Sequence, residues 1–198
     1  LDVKVLSSGQ HRELLVPLID WFELNVDADL SVMTPNQLLS QLTARLMLGF
    51  EQHFKTTCPD LVIAQGDTTT VLCAAMSCFY LNIPFGHVEA GLRTFDMKNP
   101  FPEEFNRVVV SRLAQLHFCP TARAHQNVLS EDTKANSLLT GNTVVDALYF
   151  TTKKLNQRAK SNFVHDILLT AHRRENFGPP LEEICYGVLD LCTEFPEL

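Results

Sequence analysis

The chain has 198 residues, 45% of them hydrophobic and 20% charged, with a formal net charge of −7. A chain of that size buries one substantial core, or one domain and part of a second, and its ordinary composition marks a globular protein. The acidic balance, with no long Lys/Arg run, excludes generic nucleic-acid binding but leaves room for an anionic small ligand held by a few clustered arginines. No apolar stretch is long enough to span a bilayer, and no signal-peptide pattern opens the chain. The six cysteines (Cys58, Cys73, Cys78, Cys119, Cys185 and Cys192) contain no CxxC pair and mostly lie among apolar residues. They read as reduced core thiols, which makes a cytoplasmic protein the default expectation. Leu1 falls almost inside a strand, so the chain reads as a piece of a longer protein.

Val3-Lys4-Val5-Leu6 predicts a short strand, left through Ser7-Ser8-Gly9. Gln10-His11-Arg12-Glu13 opens a helix in which Leu14, Leu15, Leu18, Ile19 and Phe22 recur at helical spacing. Gln10, His11 and Arg12 either line a site at the top of a sheet or form a solvated first turn. Residues 25–33 read as loop with a short strand, and Thr34-Pro35-Asn36 is a helix-start signal. The helix that follows, near Gln37 to Phe54, is expected to carry Leu38, Leu42, Leu46 and Leu48 on a mostly buried face.

Leu61-Val62-Ile63-Ala64 is a compact apolar run of the kind found in central parallel strands. Gln65-Gly66-Asp67-Thr68-Thr69-Thr70 follows at once and leads into a small apolar helix, Val71 to Tyr80. Such a strand, glycine turn and hydroxyl-rich helix start can bind an anion, because free N–H groups and the helix dipole favour negative charge there. Asp67 also suits the plainer part of helix N-cap. A strand at Ile83 to Val88 then runs into Gly86-His87-Val88-Glu89-Ala90-Gly91-Leu92-Arg93-Thr94. Glu89 thereby lands at the carboxyl end of a strand, where open α/β sheets place their ligands. The plain alternative is a surface turn in which Glu89 pairs with Arg93.

Asn99-Pro100-Phe101-Pro102-Glu103-Glu104-Phe105-Asn106-Arg107 is a proline-bounded loop entering a helix whose positive end suits Glu103 and Glu104. Leu116-His117-Phe118-Cys119 reads as a further strand, with a helix after Pro120-Thr121. Ser137-Leu138-Leu139-Thr140 is another strand, closed by Gly141-Asn142-Thr143 before a helix from Val144. This alternation predicts an α/β fold with a doubly wound parallel sheet over residues 1–150. The segments near Leu61, Ile83, Leu116 and Leu138 are expected to be parallel neighbours in it. Residues 151–162 are polar and basic and read as a helix tail or connection. Residues 163–198, with a strand at Ile167, the loop Ala171-His172-Arg173-Arg174-Glu175-Asn176-Phe177-Gly178 and a helix from Pro179, read as the opening of a second domain.

Three acidic positions follow strand ends or open helices: Asp67, Glu89, and Glu103 or Glu104. Loops at one edge of a parallel sheet converge, and clustered carboxylates in a partly dry cleft acquire separated pKa values, which suits acid and base work. Arg93, Arg107, Arg173 and Arg174, with His172, are candidates for holding a phosphate or a leaving-group charge. No H-E-x-x-H, P-loop, G-x-S-x-G or G-x-G-x-x-G pattern is present.

The order and spacing of Gly66-Asp67-Thr68-Thr69-Thr70, the Gly86–Thr94 stretch, Pro102-Glu103-Glu104-Phe105-Asn106-Arg107, Thr140-Gly141-Asn142-Thr143 and the His172-Arg173 loop resemble the non-hydrolysing UDP-N-acetylglucosamine 2-epimerases. The resemblance covers nearly the whole chain. It implies two Rossmann-like domains facing across a cleft, in the GT-B manner, and interconversion of UDP-GlcNAc and UDP-ManNAc. UDP is eliminated in that family to leave a 2-acetamidoglucal and is then added back. Asp67, Glu89 and Glu103 match the family's catalytic carboxylates, and His172 matches the histidine associated with the nucleotide diphosphate. Gln10 and Arg173 match positions linked to a second, activating UDP-GlcNAc in some bacterial members, whereas Asn36 stands where those members have an arginine. The resemblance further implies a UDP-sugar substrate, no metal or other cofactor, no nucleic-acid or membrane partner, and a homodimer at full length. The competing readings are a GT-B glycosyltransferase, a hydrolysing epimerase, and a nucleotide-sugar-binding or partner-binding module without turnover.

Overall fold

The computed structural model of the chain describes residues 1–10, 12–155, 169–170 and 178–196. The strand expected at Ile167 and the loop carrying His172 and Arg173 lie outside these described residues. The chain divides into two compact units, Leu1–Asp146 and Ala147–Leu198.

The first unit alternates strand and helix. In order come β1 (Leu6–Ser7), α1 (Arg12–Trp21), β2 (Ala28–Asp29), α2 (Leu39–Thr57), β3 (Val62–Gln65) and α3 (Thr69–Leu81). Then follow β4 (Phe85–Val88), α4 (Glu103–Leu113), β5 (Leu116–Cys119), α5 (Ala122–Glu131) and β6 (Ser137–Leu139), with α6 (Thr143–Leu155) running across the division. Strands β3, β4, β5 and β6 form one parallel sheet in that order, as their expected neighbour relation required. Parallel neighbours joined by helical crossovers send every β-to-α loop to the same sheet edge. Strands β1 and β2 form a separate parallel pair, with Leu6 opposite Ala28. The fold is thus α/β and Rossmann-like.

Local chemistry explains where elements start and stop. Helix α2 begins at Leu39, later than the Thr34-Pro35-Asn36 signal, and the amide of Leu38 donates to Gln41 Oε1 at 3.0 Å. It ends at Cys58 and α3 ends at Asn82, both in the left-handed conformation that closes helices. The buried stripe of α2 is Leu42, Leu46, Phe50 and Phe54. These residues recur every four positions and so stack on one face. Leu48, expected in that stripe, is 68% exposed. Two residues beyond Leu46 turns a side chain by roughly 200°, onto the opposite face. Leu38 also falls outside the stripe, as the exposed residue before the helix.

Helix α3 is buried along most of its length, and its small Ala74, Ala75 and Cys78 pack in one core with the α2 stripe, Phe85 and Val110. A second cluster joins Ala90, Cys119, Ala124 and Val128. Gly91 sits on it with φ +83°, and a Cβ there would come within 2.1 Å of the Ala124 carbonyl oxygen. Only glycine lets this loop lie so close to α5.

The cysteines divide evenly. Cys73, Cys78 and Cys119 are buried, whereas Cys58, Cys185 and Cys192 are exposed, which corrects their reading as core thiols. Burial pushes the Cys73 and Cys78 thiols up to about 12, so neither is a ready nucleophile. In the second unit α7 (Pro179–Glu194) starts on Pro179, in the first-turn position that tolerates a missing N–H. No described helix is long and apolar enough to cross a membrane.

Candidate active site

Asp67 and Glu89 leave neighbouring parallel strands at the same end. Gln65 pairs in register with Val88, so each carboxylate lies within two residues of that register point. A Cβ on Gly66, whose φ is +89°, would stand 3.8 Å from Glu89 Oε2, which places the Glu89 carboxylate over the Gly66 turn. Glu89 itself has φ +69°, unusual for a residue with a side chain. Such strain persists only where the surroundings impose it.

Asp67 is not the cap of α3; that position is Thr68. Its carboxylate goes instead to Arg107, one turn into α4, whose Nε and Nη2 both donate to Oδ2 at 3.0 and 2.6 Å. No described residue bonds Asp67 Oδ1, and the Asp67 side chain keeps 29% of its surface exposed. The backbone around Asp67 is gripped as well. Asn106 Nδ2 donates to the Asp67 carbonyl at 2.7 Å, and His87 Nε2 donates to the Gly66 carbonyl at 2.8 Å. Burial lowers the His87 pKa to about 4, against the opposing pull of that carbonyl bond, so the ring is neutral at pH 7.

The two glutamates that open α4 separate. Glu104 is buried, and Glu103 is half-buried with no side-chain bond to another described residue. Glu103 stands four residues before Arg107 at the start of the helix that holds Asp67, a spacing that puts the two on one helix face. Two more loops arrive at this sheet edge. Asn142 Nδ2 donates to Glu89 Oε1 at 3.4 Å, and Thr143 Oγ1 donates to Gln65 Oε1 at 3.0 Å, both from the turn after β6. From the loop after β1, Ser8 Oγ lies 3.2 Å from Thr70 Oγ1, and Thr70 Oγ1 donates to Gln10. Of the two readings of Gln10, a residue at the top of the sheet or part of a solvated first turn, this bond favours the first.

Arg93 is a correction. Its side chain is 1% exposed, with Nε and Nη2 on Glu131 Oε1 and Oε2 at 2.6 and 2.9 Å. Its Nη1 donates to the Leu92 carbonyl at 2.8 Å. Three of its five N–H donors brace the loop onto α5, and burial keeps the guanidinium away from solvent. The bond from Arg93 also holds the Glu131 carboxyl below its ordinary range. The alternative in which Arg93 pairs with Glu89 falls with the same observation.

A family model described as UDP-N-acetylglucosamine 2-epimerase matches residues 1–198. The chain belongs to this family. The UDP-N-acetylglucosamine 2-epimerase of Escherichia coli K12 is 40% identical over 210 residues, covering 100% of this chain and 56% of that protein. A crystal structure of UDP-GlcNAc 2-epimerase from Neisseria meningitidis bound to UDP-GlcNAc superposes with a TM-score of 0.87 at 40% identity, over 94% of this chain and 54% of that one. A Staphylococcus aureus MnaA–UDP co-structure superposes with a TM-score of 0.86 at 41% identity, over 97% of this chain and 52% of that one. The chain thus spans about half the length of the epimerases it matches.

Against this epimerase frame, sequence reasoning missed Gln65, Asn142 and the division of labour between Glu103 and Glu104. The Gly141-Asn142-Thr143 turn was a signal for the first two, since it closes a strand at the same sheet edge. Nothing in the order Glu103-Glu104 distinguishes the buried carboxylate from its half-exposed neighbour.

Proposed function

We propose that this chain supplies the carboxylate-bearing part of a non-hydrolysing UDP-N-acetylglucosamine 2-epimerase, which interconverts UDP-GlcNAc and UDP-ManNAc. The observation that carries the reading is the meeting of Asp67 and Glu89 at one sheet edge beside Arg107, with Asp67 Oδ1 left open. Family membership supports it, as does the presence of UDP-GlcNAc or UDP in related solved structures.

The proposed reaction has two halves. A base takes the C2 proton, its electron pair forms the C1–C2 double bond, and the C1–O bond breaks to release UDP. UDP then returns to C1 of the 2-acetamidoglucal while an acid delivers a proton to the other face of C2. Two faces require two proton-transfer groups, which Asp67, Glu89 and Glu103 can provide between them. Arg107 limits Asp67 to one free oxygen and so fixes the direction from which it meets a proton. His172 and Arg173 are proposed for the diphosphate, where cationic donors stabilise departing charge. Gln10 is proposed to touch the sugar nucleotide from the loop after β1. The reaction calls for no metal or redox cofactor. We further propose a cytoplasmic homodimer, with residues 1–150 as one Rossmann-like domain, 151–162 as a connection and 163–198 as the start of a second.

The test supplies the complete protein with UDP-GlcNAc in deuterated water. Epimerisation should give UDP-ManNAc carrying deuterium at C2, with UDP remaining attached. Free ManNAc released together with UDP would move the protein to hydrolysing chemistry, and recovery of unlabelled UDP-GlcNAc alone would leave a binding module.

A further inference from the structure

We propose that Glu104 is a positioning residue that aims Arg107 at Asp67 and ties that grip to the loop after Arg93. Its consequence for turnover rests on the epimerase reading; its geometry does not.

The Glu104 side chain is 1% exposed, and every bond it makes is internal. Oε1 accepts the amides of Thr94 and Phe95 at 3.0 and 2.9 Å, and Oε2 accepts Arg107 Nη1 at 3.2 Å. A carboxylate withdrawn from water is tolerated only when it is paired and hydrogen-bonded, and here three donors, one of them cationic, meet it. Burial pushes its pKa up, but the two amides and Arg107 outweigh this and leave it below the ordinary range. Glu104 is therefore charged wherever the protein is folded near neutrality.

Its effect follows from the shape of a guanidinium. The group is planar with donors in a rigid fork, so fixing Nη1 at one corner fixes the direction of the opposite Nε–Nη2 edge. That edge meets Asp67 Oδ2. Glu104 and Arg107 are three residues apart on α4, so their side chains share a helix face. The same carboxylate holds Thr94 and Phe95, and Phe95 has φ +65°. Loop position and Asp67 orientation are thus set by one buried group, which a role confined to loop anchoring would not require.

Glu104→Gln separates the two roles. Its amide oxygen can still accept from Thr94 and Phe95, while its NH2 cannot accept from Arg107. In the complete protein with UDP-GlcNAc, the variant should lose kcat by about 10- to 100-fold, the scale of a misplaced catalytic group, with KM little changed. In an Arg107→Gln background the same substitution should cost nothing more, because its partner is already gone. Retention of parental kcat, or the full loss repeated in that background, overturns the proposal. A second readout is the Arg107 Nε–H resonance, expected to be protected from exchange in the parent and unprotected in Glu104→Gln. Equal protection in both overturns the proposal. If the parent itself shows no turnover, the epimerase reading fails and this resonance still decides the role of Glu104. Should Glu104→Gln not fold, Glu104→Asp, which keeps the charge but shortens the reach to Arg107, carries both expectations.

Discussion

Two arginines, Arg93 and Arg107, each bind a carboxylate twice, and the two corners they make are built for different ends. Arg93 uses both oxygens of Glu131 and a carbonyl, inside a shell that leaves it 1% exposed. Arg107 puts two donors on a single oxygen of Asp67 and its third on Glu104, while Asp67 keeps 29% of its surface open. The first arrangement is buried, engages both oxygens of its carboxylate within the chain and serves as a brace. The second leaves one carboxylate oxygen without a partner among the described residues, as the proposed role of Asp67 requires. Whether an arginine near a site is a strut or a tool is thus decided by how many partner oxygens it leaves free.

The largest effect should come from the braced corner. Gly91→Ala places a Cβ 2.1 Å from the Ala124 carbonyl, backbone against backbone, at φ +83°. Neither side can yield cheaply, so a loss above about 4 kcal/mol of stability is expected, read as failure to give a cooperative thermal transition. A Gly91→Ala protein with parental Tm would show that the loop does not depend on this close approach.

Next, the two carboxylates should trade places in their effects. Glu131→Ala strands a buried guanidinium and should cost about 3–5 kcal/mol in a denaturant titration. Asp67→Asn should cost little stability but lower turnover of the complete protein by about 10²–10⁴-fold. If Glu131→Ala left stability intact, or Asp67→Asn left turnover intact, the contrast between brace and tool would fail.

The smallest effect is a pH dependence shared by both corners. Burial lowers the His87 pKa to about 4 in the folded chain, from an ordinary imidazole value of 6.5. Between these values the unfolded chain binds more protons, so stability falls as pH drops from about 6.5 to about 4. The shift corresponds to roughly 3 kcal/mol once complete. The Glu104 and Glu131 carboxyls, both lowered, add losses only below their ordinary value of 4.5. His87→Asn should therefore flatten the upper part of an acid-stability curve and leave the lower part steep. An unaltered upper limb would remove His87 as its cause.

Much of this was legible in the sequence, and particular residues show why. Asp67 and Glu89 could be brought together because residues just past parallel strands share an edge, a rule that needs only the strand assignments. The close approach at Gly91 was not legible, because the helix it meets, α5, lies more than thirty positions further along. Leu48 was misread because leucines spaced by two were counted on one helical face. Arg93 was misread because its partner, Glu131, stands 38 positions further along and belongs to another element.

The sequence by itself determined the alternation of strand and helix, the family, and which loops carry carboxylates. Each of these rests on periodicity, turn chemistry or motif order within a short stretch of chain. Only the tertiary structure decided which carboxylate of Glu103 and Glu104 is buried, which oxygen of Asp67 stays free, and which arginine is already occupied. Those outcomes depend on side chains from separate elements competing for the same few donors, and the competition exists only once packing has brought them within hydrogen-bond reach.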